Sequence, residues 1–194
     1  MDELPLTPQV LVAAYANGIF PMDVEGRIAW FCPDPRTIID LDRFHVPGNI
    51  AQRYRNRHFE IRVDTCFEEV IRSCAELREE TWISAEIVEA YIGLHRLGPA
   101  HSVESWRGGE LAGGLYGVAL GGAFFGESMF HRQTDASKVA LVALVERLKA
   151  RGFVMLDVQF TTPHLERFGA VEIPRDEYLK RLGAAIELPV KFVD

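Results

Sequence analysis

Three polar side chains stand where apolar runs close, and their chemistry suits an amine. Asp157 and Gln159 lie two residues apart in the run Phe153–Phe160. A strand alternates its side chains, so residues i and i+2 share a face, and this pair would present a carboxylate beside an amide. The amide oxygen of Gln159 can accept a hydrogen bond from an attacking amine while Asp157 orients it. Final proton acceptance then falls to Asp157 or to the leaving group. By themselves these residues read more readily as the end of a sheet strand. Glu127, between Gly126 and Ser128, ends another apolar run, where an unpaired buried carboxylate is costly. Its counterpart is either a cationic group of a substrate, or Arg132 or Lys138. The six histidines and three cysteines fall in no ligand spacing, so no metal is expected.

The surrounding elements follow from turn and cap residues. Thr7-Pro8 opens a helix through Asn17 that Gly18 closes, and the chain then turns at Phe20-Pro21. Residues 28–47 hold three prolines and read as irregular, with a short strand near Ile38–Leu41. Phe59–Val63 alternates as a strand, and Cys66–Leu77 and Ser84–Leu97 have helical spacing. Three strands follow, His101–Arg107, Glu110–Leu120 and Ala123–Met129, joined by Gly108-Gly109 and Gly121-Gly122 as an antiparallel meander. Asp135 then caps an amphipathic helix to Arg151, with Leu141, Leu144, Val145 and Leu148 on one stripe and Gly152 at its end. A buried strand, a short helix from Thr162-Pro163 and a last helix over Pro174–Ala185 complete the chain.

This order predicts an α/β fold, a mixed α+β sheet with helices on its faces. It resembles an acetyltransferase-like (GNAT-like) domain over 48–194, preceded by a small reduced N-terminal lobe over 1–47. Enzymes of that type using acetyl-coenzyme A place a glycine-rich pyrophosphate loop before the long helix. Here that connection, His131 to Lys138, has no glycine, which weakens a coenzyme A-dependent acetyltransferase.

The 194 residues fit one domain with a small added lobe. Hydrophobic residues make up 48% and charged ones 25%, which excludes disordered and fibrous classes. Leu111 to Gly126, an uncharged run, carries six glycines in 16 residues and is too short to span a bilayer. No export signal is evident at the N-terminus, so a cytoplasmic protein is expected, with its cysteines as buried fillers. A net charge of −7 opposes nucleic acid overall and gives no reason for tight assembly, so a monomer is the default. One stretch is basic: Arg43, Arg53, Arg55, Arg57 and Arg62 against Glu60.

Several ordered motifs carry a family resemblance. They are Tyr15-x-x-Gly18-Ile19-Phe20-Pro21, Trp30-Phe31-Cys32-Pro33-Asp34-Pro35-Arg36, Thr81-Trp82-Ile83, Gly126-Glu127-Ser128-Met129-Phe130, Ala136-Ser137-Lys138, Asp157-x-Gln159 and Gly169-Ala170-x-Glu172-Ile173-Pro174-Arg175. From about Leu11 to Leu182 the chain resembles leucyl/phenylalanyl-tRNA-protein transferases. The resemblance implies transfer of leucine or phenylalanine, with methionine as a further donor, from aminoacyl-tRNA to proteins with N-terminal Arg or Lys. That tagging creates an N-degron for proteolysis. The donor ester is already activated, so no cofactor is expected, and an α-amine of pKa about 7.7–8.0 attacks it.

Site roles follow from the same resemblance. Asp157 and Gln159 are the catalytic pair, with Glu127 and Asp157 binding the acceptor. Leu115, Phe124, Gly126, Met129, Leu141, Leu144 and Leu156 form the aminoacyl pocket. Tyr15 and Trp82 contact the aminoacyl-adenosine end, and Arg53, Arg55 and Arg57 hold tRNA phosphates without reading sequence. Ordinary core aromatics, core aliphatics and solvated charges are the competing readings of these residues. The chain departs from the family pattern at Met22, where tryptophan is usual, and at Thr162, where asparagine is usual. A non-catalytic tRNA- or degron-binding module is the alternative from another class; a metal hydrolase ranks last.

Overall fold

A computed structural model describes residues 5–77 and 81–194. The chain opens with helix α1 (Pro8–Ala16), capped by Thr7 Oγ1 on Val10 N and followed by Gly18 at φ +72°. Next come β1 (Phe20–Val24), β2 (Arg27–Phe31), β3 (Arg36–Ile39), α2 (Gly48–Arg55), β4 (Glu60–Val63), α3 (Phe67–Glu76) and α4 (Ala85–Arg96). The second half contains β5 (Ala100–Arg107), β6 (Glu110–Leu120), β7 (Ala123–His131), α5 (Ala136–Arg151), β8 (Met155–Gln159), α6 (Pro163–Glu166), β9 (Ala170–Ile173) and α7 (Arg175–Ile186).

β1 and β2 form a separate hairpin, and the other seven strands form one sheet in the order β4-β5-β6-β7-β8-β3-β9. Every pairing in that sheet is antiparallel except β7 with β8. The mixed α/β sheet expected from the sequence is therefore present. Alternation splits the core in two. Leu115, Phe124 and Leu156 face α5 and α2, while their neighbours Tyr116, Phe125 and Met155 face the side of α1, α3, α4 and α7.

Several expectations need correction. Residues 20–31 are not a simple turn but a hairpin. Glu25 and Gly26, at φ +54° and +80°, make its two-residue turn, and mixed polarity on its half-buried strands hides it in the sequence. Within the supposedly irregular segment, β3 lies inside the main sheet between β8 and the edge strand β9, so residues assigned to the N-terminal lobe contribute a strand to that sheet. α2 gives no sequence signal because it is polar and lacks a side-chain cap; Ile50 anchors it to the core under α5. β9 gives none either, its four residues being too few to show a period. Asp135 does not cap α5 with its side chain: at φ +70° its carboxylate turns to Lys138 Nζ (2.7 Å) and Arg53 Nε (3.0 Å). α5 buries ten residues rather than one stripe, because α2 and the segment around Phe192 cover its far side. Of the cysteines only Cys74 is fully buried.

Candidate active site

β7 and β8 pair only over Ala123–Phe125 against Met155–Asp157. Beyond that point they part, and the gap opens into a cavity of about 400 Å³, within the range that holds small ligands. Leu115, Gly126, Met129, Leu141, Leu144 and Leu156, six of the residues expected to share a pocket, line it. Gly126 keeps it open: its side-chain position has space, with the nearest atom, Asp157 O, at 3.6 Å. Tyr116, Ser128, Val158, Phe160, Thr162, His164 and Leu165 also line the cavity, and of these the sequence marks only Ser128, within a motif, and Thr162. Phe124 does not line it. Its ring packs over Gly117 and against Phe192 with centroids 5.0 Å apart, so it belongs to the core.

Glu127 reaches the cavity through a β-bulge. Tyr116 pairs with Ser128 and Gly117 with Gly126, leaving Glu127 as the extra residue on β7. Its side chain is buried, with Oε1 accepting from Gln159 Nε2 at 2.9 Å and Oε2 from the Tyr91 hydroxyl at 3.5 Å. Behind these, the Tyr15 and Tyr91 hydroxyls are hydrogen-bonded to each other. The cations expected to meet Glu127 are engaged elsewhere, Arg132 with Glu69 and Lys138 with Asp135. Among the described residues Glu127 makes no ion pair. Burial pushes its pKa up to about 7; hydrogen bonding from Tyr15 opposes the rise and the Asp157 charge adds to it. Burial first, and then the Glu127 charge, also hold the Tyr15 and Tyr91 phenols well above their usual range.

Asp157 and Gln159 are not side by side at the cavity. Gln159 lines it, whereas Asp157 is completely buried behind the wall. Asp157 accepts from Arg36 Nε (3.0 Å) and Nη2 (2.8 Å), from the Tyr178 hydroxyl (2.7 Å) and from Gln159 N (2.9 Å). Arg36 Nη1 also donates to Gly18 O at 3.0 Å. Gln159 sits at φ +64°, outside strand geometry, which breaks the i, i+2 alternation and turns its amide towards Glu127 while its N–H meets Asp157. The strand rule therefore fails at the strand's last residue. Sequence reasoning misses that Arg36 and Tyr178 hold Asp157; Arg36 is marked only as the end of the Trp30–Arg36 motif and as a lone charge opening the apolar run Arg36-Thr-Ile-Ile.

Tyr15 is wholly buried and cannot stack on a ligand base, whereas Trp82 lies on the cavity wall. Met22 is partly buried and packs against the core. Thr162 Oγ1 caps α6 at Leu165 N (3.2 Å). Of the basic residues, Arg53 pairs with Asp135, while Arg55 and Arg57 are exposed. Before α5, the amides of Arg132 and Gln133 both donate to Ala112 O, at 2.8 and 3.0 Å, and so are not turned to a phosphate.

The family described as leucyl/phenylalanyl-tRNA protein transferase matches residues 38–183, and its N-terminal domain matches 5–34. The chain belongs to this family. Among curated relatives carrying that name, the transferase of Herpetosiphon aurantiacus is 57% identical over 96% of this chain and 98% of its own. That of Rubrobacter xylanophilus is 58% identical over the same shares, and that of Gloeobacter violaceus 57% over 96% and 97%. Among solved structures, the L-PGS of Bacillus licheniformis is 13% identical with a TM-score of 0.47, covering 79% of this transferase and 65% of its own chain.

Proposed function

We propose that this transferase seats the leucyl, phenylalanyl or methionyl side chain of a charged tRNA in the cavity between β7 and β8. The acceptor's N-terminal Arg or Lys approaches Glu127. One observation carries the reading: an apolar cavity that ends in a hydrogen-bonded Glu127–Gln159 pair. Such a shape fits an apolar donor side chain whose ester faces an incoming amine. The Gln159 amide nitrogen is committed to Glu127, which leaves its carbonyl oxygen to accept from the attacking amine. Asp157 serves as a positioning residue for Gln159, clamped by Arg36 and Tyr178. Trp82 offers a face to the terminal adenosine, and Arg55 and Arg57, with Arg53 behind them, offer charge to acceptor-stem phosphates. The ester supplies the driving force, so the reaction calls for no cofactor.

The antiparallel strands, long helix and parallel β8 support a GNAT-like reading of the transfer domain. The N-terminal lobe, on this reading, lends that domain β3. Among the described residues no helix is long and apolar enough to cross a membrane. We read the protein as a cytoplasmic monomer that marks its acceptors for N-degron proteolysis. The test mixes the enzyme with radiolabelled Leu-tRNA or Phe-tRNA and peptides beginning with Arg, Lys, Asp or Ala. Label in the Arg and Lys peptides, lost on Gln159→Ala, is expected. Label only in the Asp peptide would overturn the acceptor reading, and label in none would overturn the reaction.

A further inference from the structure

The reaction leaves one proton without a destination. An acceptor ammonium has three protons and the peptide bond keeps one. A second passes from the attacking nitrogen to the ribose 3′ oxygen as the ester C–O bond breaks and the C–N bond forms. Something must take the first, because only the neutral amine has a lone pair with which to attack the ester carbonyl. Gln159 is an amide and has no such capacity near neutral pH. Asp157 is walled off: its oxygens are taken by Arg36, Tyr178 and Gln159 N, and it does not line the cavity.

We propose that Glu127 is the general base, taking the first proton from the acceptor ammonium at the cavity wall and later releasing it to solvent. This deepens the reading above and rests on it. The geometry is that of a carboxylate on the wall, placed there by a bulge, 2.9 Å from the amide that receives the amine. The groups around it come from four elements: Tyr15 of α1, Tyr91 of α4, Arg36 of β3, and Asp157 with Gln159 of β8. The tyrosines and Gln159 are neutral donors, and the Arg36 charge is spent on Asp157. Among the described residues no cation pairs with Glu127 to hold it permanently ionised, so it can both lose and regain a proton. Its pKa, raised to about 7, lies close to that of a peptide amine, where proton exchange between the two costs little.

The test is single-turnover transfer from Phe-tRNA to an Arg-peptide, titrated up to saturation, between pH 6 and 9.5, comparing wild type with Glu127→Gln and Glu127→Asp. Glutamine keeps an acceptor for the Gln159 amide but cannot take a proton. The expected result for Glu127→Gln is a rate at least ~10-fold lower at pH 6.5–7, where only about a tenth or less of an amine of pKa about 8 is neutral unaided, and a deficit that shrinks above pH 8 as that fraction grows. Glu127→Asp, which retains a base, should recover part of the rate at neutral pH. A deficit of the same size at every pH, or one confined to the acceptor KM, would overturn the base while leaving the transferase reading intact. Absence of transfer by the wild type at any pH would instead overturn that reading, and the base with it.

Discussion

Glu127→Gln should stabilise the folded protein in a pH-dependent way. The native carboxyl titrates near 7 and its ordinary value is 4.5, a gap of 2.5 units. At ~1.4 kcal/mol per unit, burying the ionised form costs about 3 kcal/mol. Between pH 4.5 and 7 the native state keeps a proton that the unfolded chain has released. Raising the pH through that window therefore removes stability, and no more is lost above it. Glutamine does not titrate, so the variant should gain on wild type by about 3 kcal/mol between pH 4.5 and pH 8. At ~2–4 °C per kcal/mol for a chain of this size, that is a relative Tm gain of about 6–12 °C. The assay is paired thermal or urea unfolding across pH 4.5–8.5. A stability difference that stays flat over this range would refute the claim that Glu127 is buried without a compensating cation. So would a gain in the opposite direction.

Other outcomes follow from the same geometry. Asp157→Asn removes the charge opposite a fully buried Arg36 and should destabilise by about 3–5 kcal/mol, read in urea unfolding. Gly126→Ala has room for its methyl, nearest atom 3.6 Å, so it should fold normally; by narrowing the cavity it should depress phenylalanine transfer more than leucine transfer in a donor competition. Gly117→Ala places a methyl 2.2 Å from Phe125 O and should markedly lower Tm, by several kcal/mol of stability, although it lies outside the cavity. Arg55→Ala with Arg57→Ala should weaken tRNA binding and flatten its salt dependence by roughly 0.7–0.9 in log–log slope for each phosphate no longer neutralised. Leu-tRNA titrations at several salt concentrations would measure this.

What the sequence determined on its own was local or periodic. Paired glycines dictated the turns between β5, β6 and β7, Thr7-Pro8 and Ser84 opened helices, and the apolar period of residues 136–151 placed α5. Six of the seven expected pocket residues line the cavity: Leu115, Gly126, Met129 and Leu156 come from β6, β7 and β8, and Leu141 and Leu144 come from the face of α5 that the helical period turns to the sheet. The site's finer arrangement was decided by long-range packing that no local pattern encodes. Arg36 meets Asp157 across 121 residues of chain, and Tyr91 meets Glu127 across 36. A one-residue bulge turned Glu127 into the cavity, and a positive φ at Gln159 separated it from Asp157. Both are departures from regular strand geometry. Strand period predicts where a side chain points only while that geometry holds, and here it fails at the residues that form the site.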